Sequence, residues 1–382
     1  MKKYYDLNDK LLRELCVIPA PSGLEDKRVE YITNILHSWG FKAETDDAKN
    51  VIVKIDGNSP ETVVFEAHTD VVFPDTEALP LLEDDSNIYC PGCGDDTVCL
   101  ASLIANLKYI SDLGKKPGKT LLIVFNSCEE GLGNLKGTRA VFERYGKDIS
   151  EFYTFDGVYS EIVTQSVGSH RYKVTVKSEG GHSYGSFGNQ SAVDVLAKGI
   201  TKIYELEVPT NAKTTYNVGV ISGGTSVNTI PEEAQMLCEY RSVAFENLEY
   251  MKNKFEEIFE YMKSLGACVT VELVGDRPCM QNVDKKKIDD MAAFCMEVQK
   301  KHSGEDVVIC SASTDANIPL SMGVPAVCVG TYNGGRAHTR EEWLEKSSVS
   351  KSFEIENDII KKYFACLEII MKITAVGECA IQ

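Results

Sequence analysis

The residues best able to do chemistry in this chain are acids and histidines placed at the ends of apolar runs. V-V-F-E-A-H-T-D-V-V (63–72) carries a buried-strand pattern straight into His68, Thr69 and Asp70. An imidazole and a carboxylate two residues apart on one loop make half of a metal site. The arrangement recurs. Y-C-P-G-C-G-D-D places Asp95 and Asp96 after a glycine loop where a helix begins. There one aspartate reads equally as an N-cap or as a carboxylate turned toward a cation. T-L-L-I-V-F-N-S-C runs into Glu129 and Glu130, which repel each other unless something positive lies near or one is protonated. E-F-Y-T-F-D-G leaves Asp156 at a strand end, and G-G-H-S sets His182 in a glycine-rich turn, where a plain polar turn residue is the simpler reading. His338 follows the buried run G-V-P-A-V-C-V-G. Together these residues point to a metal-dependent hydrolase.

The elements that must position them follow from periodicity. Residues 6–18 read as an amphipathic helix ended by Pro19 and Pro21. Ser22 and Glu25 read as an S-x-x-E capping box for a second helix carrying Val29, Ile32, Ile35, Leu36 and Trp39, closed by Gly40. V-I-V-K-I, T-V-V-F-E-A and T-L-L-I-V-F-N-S-C read as strands, the last buried on both faces. His68, Asp70, Asp95, Glu129, Glu130 and Asp156 then converge on one rim of a mostly parallel sheet, where open α/β sheets place their ligands.

After about residue 166 the texture changes to period-two alternation. The order strand, helix, strand, strand, helix, strand, the last being C-V-T-V-E-L-V (268–274), predicts a split-βαβ module with two helices on one face. From Lys285 helical texture returns, then the buried strand before His338, then a last helix over about 351–373. The expected organisation is an α/β catalytic domain, 1–166 with 282–382, interrupted by a ferredoxin-like lid at 167–281.

At 382 residues the chain exceeds one ordinary core. A formal net charge of −17 argues against nucleic acid, whose phosphates it would repel. No apolar run reaches the length of a membrane span, and the N-terminus lacks the apolar core of a signal peptide, so the expected location is cytoplasmic. Thirteen cysteines, many in apolar runs (Cys238, Cys295, Cys328, Cys366), suit a reducing compartment. Cys90 and Cys93 form a C-x-x-C with no second pair at zinc-ribbon spacing. His37, His170 and His302 lie in a helix end, an alternating strand and a charged helix end, and read as ordinary residues.

Seven motifs in order, H-T-D, G-x-G-D-D, E-E-G, F-D-G, G-G-H-S, G-G-x-x-x-N-x-x-P and a late H-T, make the chain resemble the di-zinc amidohydrolase and peptidase family. That family includes peptidase T, carnosinase, aminoacylase, acetylornithine deacetylase, succinyl-diaminopimelate desuccinylase and glutamate carboxypeptidase. G-G-H-S-Y-G-S-F-G-N-Q-S-A and S-T-D-A-N (313–317) bring it nearest to the peptidase T and tripeptidase-like branch. The resemblance implies His68, Asp95 and Asp156 on one zinc, with Glu130, His338 and the shared Asp95 on the other. Cobalt or manganese are the alternative metals. It further implies a cis peptide between Asp95 and Asp96, Asp70 as the residue orienting His68, and Glu129 as general base. His182 would reach the substrate from the lid, in the same or a partner subunit. Asn228, Arg277 and, in support, Arg241 would hold the substrate carboxylate. Relatives commonly have Lys-Gly after the paired acids, whereas this chain has Thr97 and Val98.

The expected reaction is hydrolysis of an amide bond in a small substrate with a free carboxylate, first a di- or tripeptide. Two cations would hold a water between them and Glu129 would take its proton. The alternative substrate is an N-acyl amino acid. A non-catalytic binding protein on the same fold would be expected to have lost Glu129 or a ligand, and none is lost. A homodimer through the lid is the expected assembly.

Overall fold

The computed structural model of the protein describes residues 1–364. The chain divides into two compact units, one formed by residues 1–165 with the chain from Asn282 onward and the other by Ser166–Gln281.

The first unit is built on an eight-stranded sheet in the order Glu44–Thr45, Val51–Ile55, Lys119–Asn126, Ser59–His68, Ile149–Phe155, Ala326–Val329, Glu161–Ser166, Val308–Ala312. Its four central strands, from Lys119–Asn126 to Ala326–Val329, are parallel, and antiparallel strands flank them. Parallel strands buried on both faces need continuous apolar sequence, and V-V-F and L-L-I-V-F supply it: Val63, Val64, Phe65 and Leu121 to Phe125 are buried. Phe65 stacks on Tyr153, with ring centroids 5.2 Å apart, and on Phe155 at 6.1 Å. Such pairs add ~0.5–1.5 kcal/mol each beyond burial. Helices Lys2–Cys16, Cys99–Asp112 and Lys346–Lys361 pack on one another, joined by buried polar contacts from Asn8 to Ser102 and from Ser102 to Ser352. Because the central strands run parallel, the residues that follow them emerge on one rim.

The second unit is a four-stranded antiparallel sheet in the order Thr214–Gly223, Glu233–Ser242, Gly168–Lys177, Cys268–Arg277. Helices Ala192–Tyr204 and Phe245–Ser264 cover one face. Tyr172, Val174 and Val176 alternate into that core against Leu196, Met251 and Phe255.

Local readings need correction. The first helix runs Lys2–Cys16, earlier than its periodicity indicates. The Ser22–Glu25 capping box does not form. The second helix, Asp26–Ser38, has no side-chain cap. Glu25 instead accepts the Gly23 N–H at 2.6 Å, and Ser22 donates to Asp70 at 2.6 Å, because the stronger acceptor lies in the neighbouring loop. Glu161–Ser166 and Val308–Ala312 are strands the sequence reading did not find; Val308–Ala312 lies at the sheet edge, half exposed, so its apolar pattern is weak. The last described helix is Lys346–Lys361, followed by a 3-10 turn to Phe364. Cys366 and the stretch expected to be helical as far as 373 lie outside the described residues. Among the described residues no helix is long and apolar enough to cross a membrane.

Candidate metal centre

Four residues of the cluster sit where buried strands end. His68 closes the strand Ser59–His68, while Glu129 and Glu130 follow Lys119–Asn126 and Asp156 follows Ile149–Phe155. Asp95 lies in the turn Cys93–Val98 that leads into helix Cys99–Asp112, and its peptide bond to Asp96 is cis. His338, with φ +64°, projects from the segment after Ala326–Val329.

Three groups of potential ligand atoms result, each within 4.8 Å: His68, Asp95 and Asp156; Asp95, Glu130 and His338; His68, Glu129 and Glu130. Asp95 belongs to two of them. Its Oδ1 lies 3.1 Å from His68 Nε2 and its Oδ2 lies 3.1 Å from His338 Nε2, which is also 3.2 Å from Glu130 Oε1. His338 is 56% exposed, whereas His68, Glu129 and Glu130 are buried.

Packing carboxyl groups and imidazoles together perturbs Asp95, Glu130, Asp156, His68 and His338. Burial, then the Asp95 charge, raises Asp156 well above the carboxylate range. Burial pushes Glu130 up to about 7; His338 pulls it back, while Asp95 and Glu129 push it further. Asp95 goes the other way: burial would raise it, but His338 and His68 hold it well below its ordinary value. His338 is raised to about 11 by its contacts with Asp95 and Glu130. Burial would lower His68, but Asp70 and Asp95 prevail and raise it well above 6.5. The field is that of a site built for positive charge. Imidazole nitrogens and carboxylate oxygens grouped around one shared aspartate fit two divalent cations.

Asp70 meets His68 through its main chain as well as its carboxylate. The nearest acceptor to His68 Nδ1 is the Asp70 backbone carbonyl at 3.0 Å, with its carboxylate Oδ1 at 3.5 Å. The carboxylate accepts the N–H of Glu129 at 3.0 Å and of Glu130 at 2.9 Å, besides the Ser22 hydroxyl. One aspartate therefore sets both the imidazole and the paired glutamates.

Thr97 and Val98, the departure after the paired acids, are buried, and the Thr97 hydroxyl bonds to the Gly92 carbonyl. Asp96 is buried; its Oδ2 accepts the His68 N–H at 3.0 Å, and burial raises it well above its ordinary value. Cys90 and Cys93 are buried thiols; Cys90 donates to the Cys16 carbonyl at 3.3 Å, and burial raises Cys93 beyond the ordinary thiol range. Sequence reasoning missed Ser22 and Glu342. Glu342 is buried and accepts three backbone N–H groups from the Asp95 turn. An acid directly before Trp343 in a segment already flagged for His338 was the available signal.

The second unit holds the other expected residues. Gly181–His182 pairs with Thr229–Ile230, with His182 opposite Thr229, so Asn228 lies beside the histidine. Asn228 accepts from Ser226 at 2.7 Å. His182 Nδ1 faces the N–H groups of Tyr184 at 3.3 Å and Gly185 at 3.2 Å. Arg241 and Arg277 both lie in register with Ser169 from the two adjoining strands. Arg241 bonds to Glu239 at 2.8 Å, and Arg277 is buried. The opposite end of the same central strand, Lys177, pairs with Glu233, just after Asn228 to Pro231. His182 and Asn228 thus lie on a separate strand pair beyond one end of this sheet, and the two arginines at the other end.

Residues 64–362 match peptidase family M20/M25/M40. Among solved structures the chain is similar to a tripeptidase from Staphylococcus aureus, at 21% identity and a TM-score of 0.75 over 94% of this chain and 98% of that one. It is also similar to a Bacillus subtilis protein described as a dinuclear metal binding peptidase, at 15% identity and a TM-score of 0.67 over 95% and 99%. A probable succinyl-diaminopimelate desuccinylase from Staphylococcus aureus is 21% identical over 93% of this chain and 97% of that one.

Proposed function

The chain belongs to peptidase family M20/M25/M40 and is a metallo-hydrolase acting on amide bonds, and on that premise we propose that it cleaves di- or tripeptides carrying a free carboxylate. The observation that carries this reading is Asp95 shared between two ligand groups, with Glu129 in the same cluster. The similarity to a tripeptidase supports the choice of substrate.

In this proposal His68, Asp95 and Asp156 hold one cation and Asp95, Glu130 and His338 the other. Zinc suits these mixed donors, with cobalt or manganese as replacements. Two such cations, when bound, supply Lewis acidity that activates water near neutral pH and polarises the scissile carbonyl. Glu129 accepts a proton from the attacking water and returns it to the leaving amine nitrogen. Asp70 holds the Glu129 and Glu130 backbone in place for this task. His182 donates to the developing oxyanion. Its Nδ1 accepts two backbone N–H groups, which leaves the ring proton on Nε2 of this exposed side chain as a donor.

Arg277, Arg241 and Asn228 are assigned to the substrate carboxylate, and the geometry of their sheet supports a homodimer. Ser169 and Lys177, which mark its two ends, are eight residues apart along one strand, roughly 26 Å. One small peptide cannot touch both ends of one lid. We therefore assign the arginines to one subunit and His182 and Asn228 to the partner's lid. The edge strand Thr214–Gly223, with Val220 and Ile221 exposed, offers a face for that pairing.

The second reading keeps the chemistry and takes an N-acyl amino acid, on the strength of the desuccinylase relative. Amine release by the zinc-loaded protein separates the two. The substrates are di- and tripeptides, the same peptides amidated at the C-terminus, and N-acetyl and N-succinyl amino acids. Cleavage of free-carboxylate peptides only, abolished by Glu129→Gln with zinc still bound, is the expected result. Turnover of N-acyl amino acids alone transfers the assignment to a deacylase. No turnover of any of them with two metals bound overturns both.

A further inference from the structure

Glu342 sits where two ligand-bearing segments are joined. Residues Trp343–Glu345 pair antiparallel with Asn87–Tyr89, the strand that leads directly into the loop of Asp95. One residue earlier, the Glu342 carboxylate closes on that loop: Oε2 accepts the Gly92 N–H at 2.7 Å, and Oε1 accepts those of Gly94 at 2.8 Å and Asp95 at 3.0 Å. The loop is shaped to present these donors. Gly92 has φ +77°, and a Cβ on Gly94 would fall 2.7 Å from the Tyr332 ring. On the other side, the Glu342 N–H bonds to the Thr339 carbonyl at 3.3 Å and the Thr339 N–H to the Arg336 carbonyl at 3.1 Å, a tight turn that encloses His338.

We propose that Glu342 is a positioning residue that locks the Asp95 loop to the His338 turn and thereby sets the affinity of the cation position formed by Asp95, Glu130 and His338. This rests on the dinuclear reading above. The two cation positions depend on the clamp unequally. In the group of His68, Asp95 and Asp156, two members end buried central strands and only Asp95 rides on the loop. In the other group Asp95 and His338 lie on the two segments that Glu342 joins, and His338 is half exposed. A carboxylate is needed because three N–H donors converge on it. An amide has one acceptor oxygen and would point its own N–H groups at one of those donors.

The test is stepwise zinc binding, measured by chelator competition, on metal-free wild type, Glu342→Gln and Glu342→Asp, with the visible spectrum of the cobalt forms alongside. The expected result for Glu342→Gln is a second zinc weakened by about 10- to 100-fold while the first changes by less than about threefold. Glu342→Asp, which keeps the charge on a shorter arm, should fall between, and it serves if the Gln variant does not fold. General loosening would weaken both zincs together, so an unchanged ratio of the two constants in both variants overturns the inference. A wild-type protein that takes up only one zinc overturns the dinuclear reading itself, and this inference with it.

Discussion

The carboxylate of Asp70 accepts the backbone N–H of Glu129 at 3.0 Å, while the Asp70 carbonyl lies 3.0 Å from His68 Nδ1. The loop after one parallel strand is thereby pinned to the loop after its neighbour, so the proposed base and the proposed ligand move as one piece. Asp70→Asn should lower kcat/KM and metal affinity together, each by about 10- to 100-fold. An amide cannot accept both the Glu129 and the Glu130 N–H, and it leaves one of them facing a donor. Kinetics on metal-saturated protein, with a parallel zinc titration, checks this; a variant indistinguishable from wild type in both would refute it.

Metal should also be a large part of folding stability. Stripping it leaves Asp95, Glu130 and Asp156 in mutual repulsion within a buried cluster, and cations answer that directly. Zinc at about one hundred times its dissociation constant should raise unfolding free energy by ~2.7 kcal/mol per site. Denaturant titrations with and without chelator measure the difference.

Beneath the site, the Thr138 hydroxyl lies 2.6 Å from Glu66 and also bonds to Asp315, and all three are buried. One hydroxyl proton cannot serve two carboxylates, so one acid must carry a proton. Burial and the Glu129 charge push Asp315 up to about 7. Asp315→Asn should then cost no more than ~1 kcal/mol, because its amide can donate to Thr138 while its oxygen keeps the Asn126 bond. Thr138→Val should cost ~1–3 kcal/mol, since it removes the buried hydroxyl that joins the two acids. Chemical denaturation of the two variants tests the order; a larger loss for Asp315→Asn would contradict it.

Asp112 supplies a pH-dependent contact remote from the metals. Lys108, Tyr4 and Lys3 surround its carboxylate at 2.6, 2.9 and 3.2 Å, and together they hold it down to about 2. A carboxyl group depressed in the folded state stabilises above its ordinary value and loses that contribution as pH falls. Solvent screening at this partly exposed site limits the effect to less than ~1 kcal/mol. Asp112→Asn should therefore be slightly less stable than wild type at pH 7. The gap should close between about pH 4 and pH 2. A gap that persists at pH 2 would mean the loss comes from packing.

The sequence by itself determined the apolar runs, and with them which acids and histidines would end on one rim. V-V-F-E-A before His68 and L-L-I-V-F before Glu129 can be buried only as central parallel strands, and strand ends of one polarity meet. The split-βαβ order was legible for the same reason, since alternation and helical spacing are local. Tertiary structure decided what each polar group touches. Ser22 satisfies a local capping pattern yet donates to Asp70, because a buried carboxylate brought from another strand outcompetes a helix end open to water. Glu342 lies 247 residues from Asp95 along the chain, and no periodicity connects them. Only folding sets three backbone N–H groups around that one carboxylate, and hydrogen bonds to backbone leave no signature in the identities of Gly92, Gly94 and Asp95.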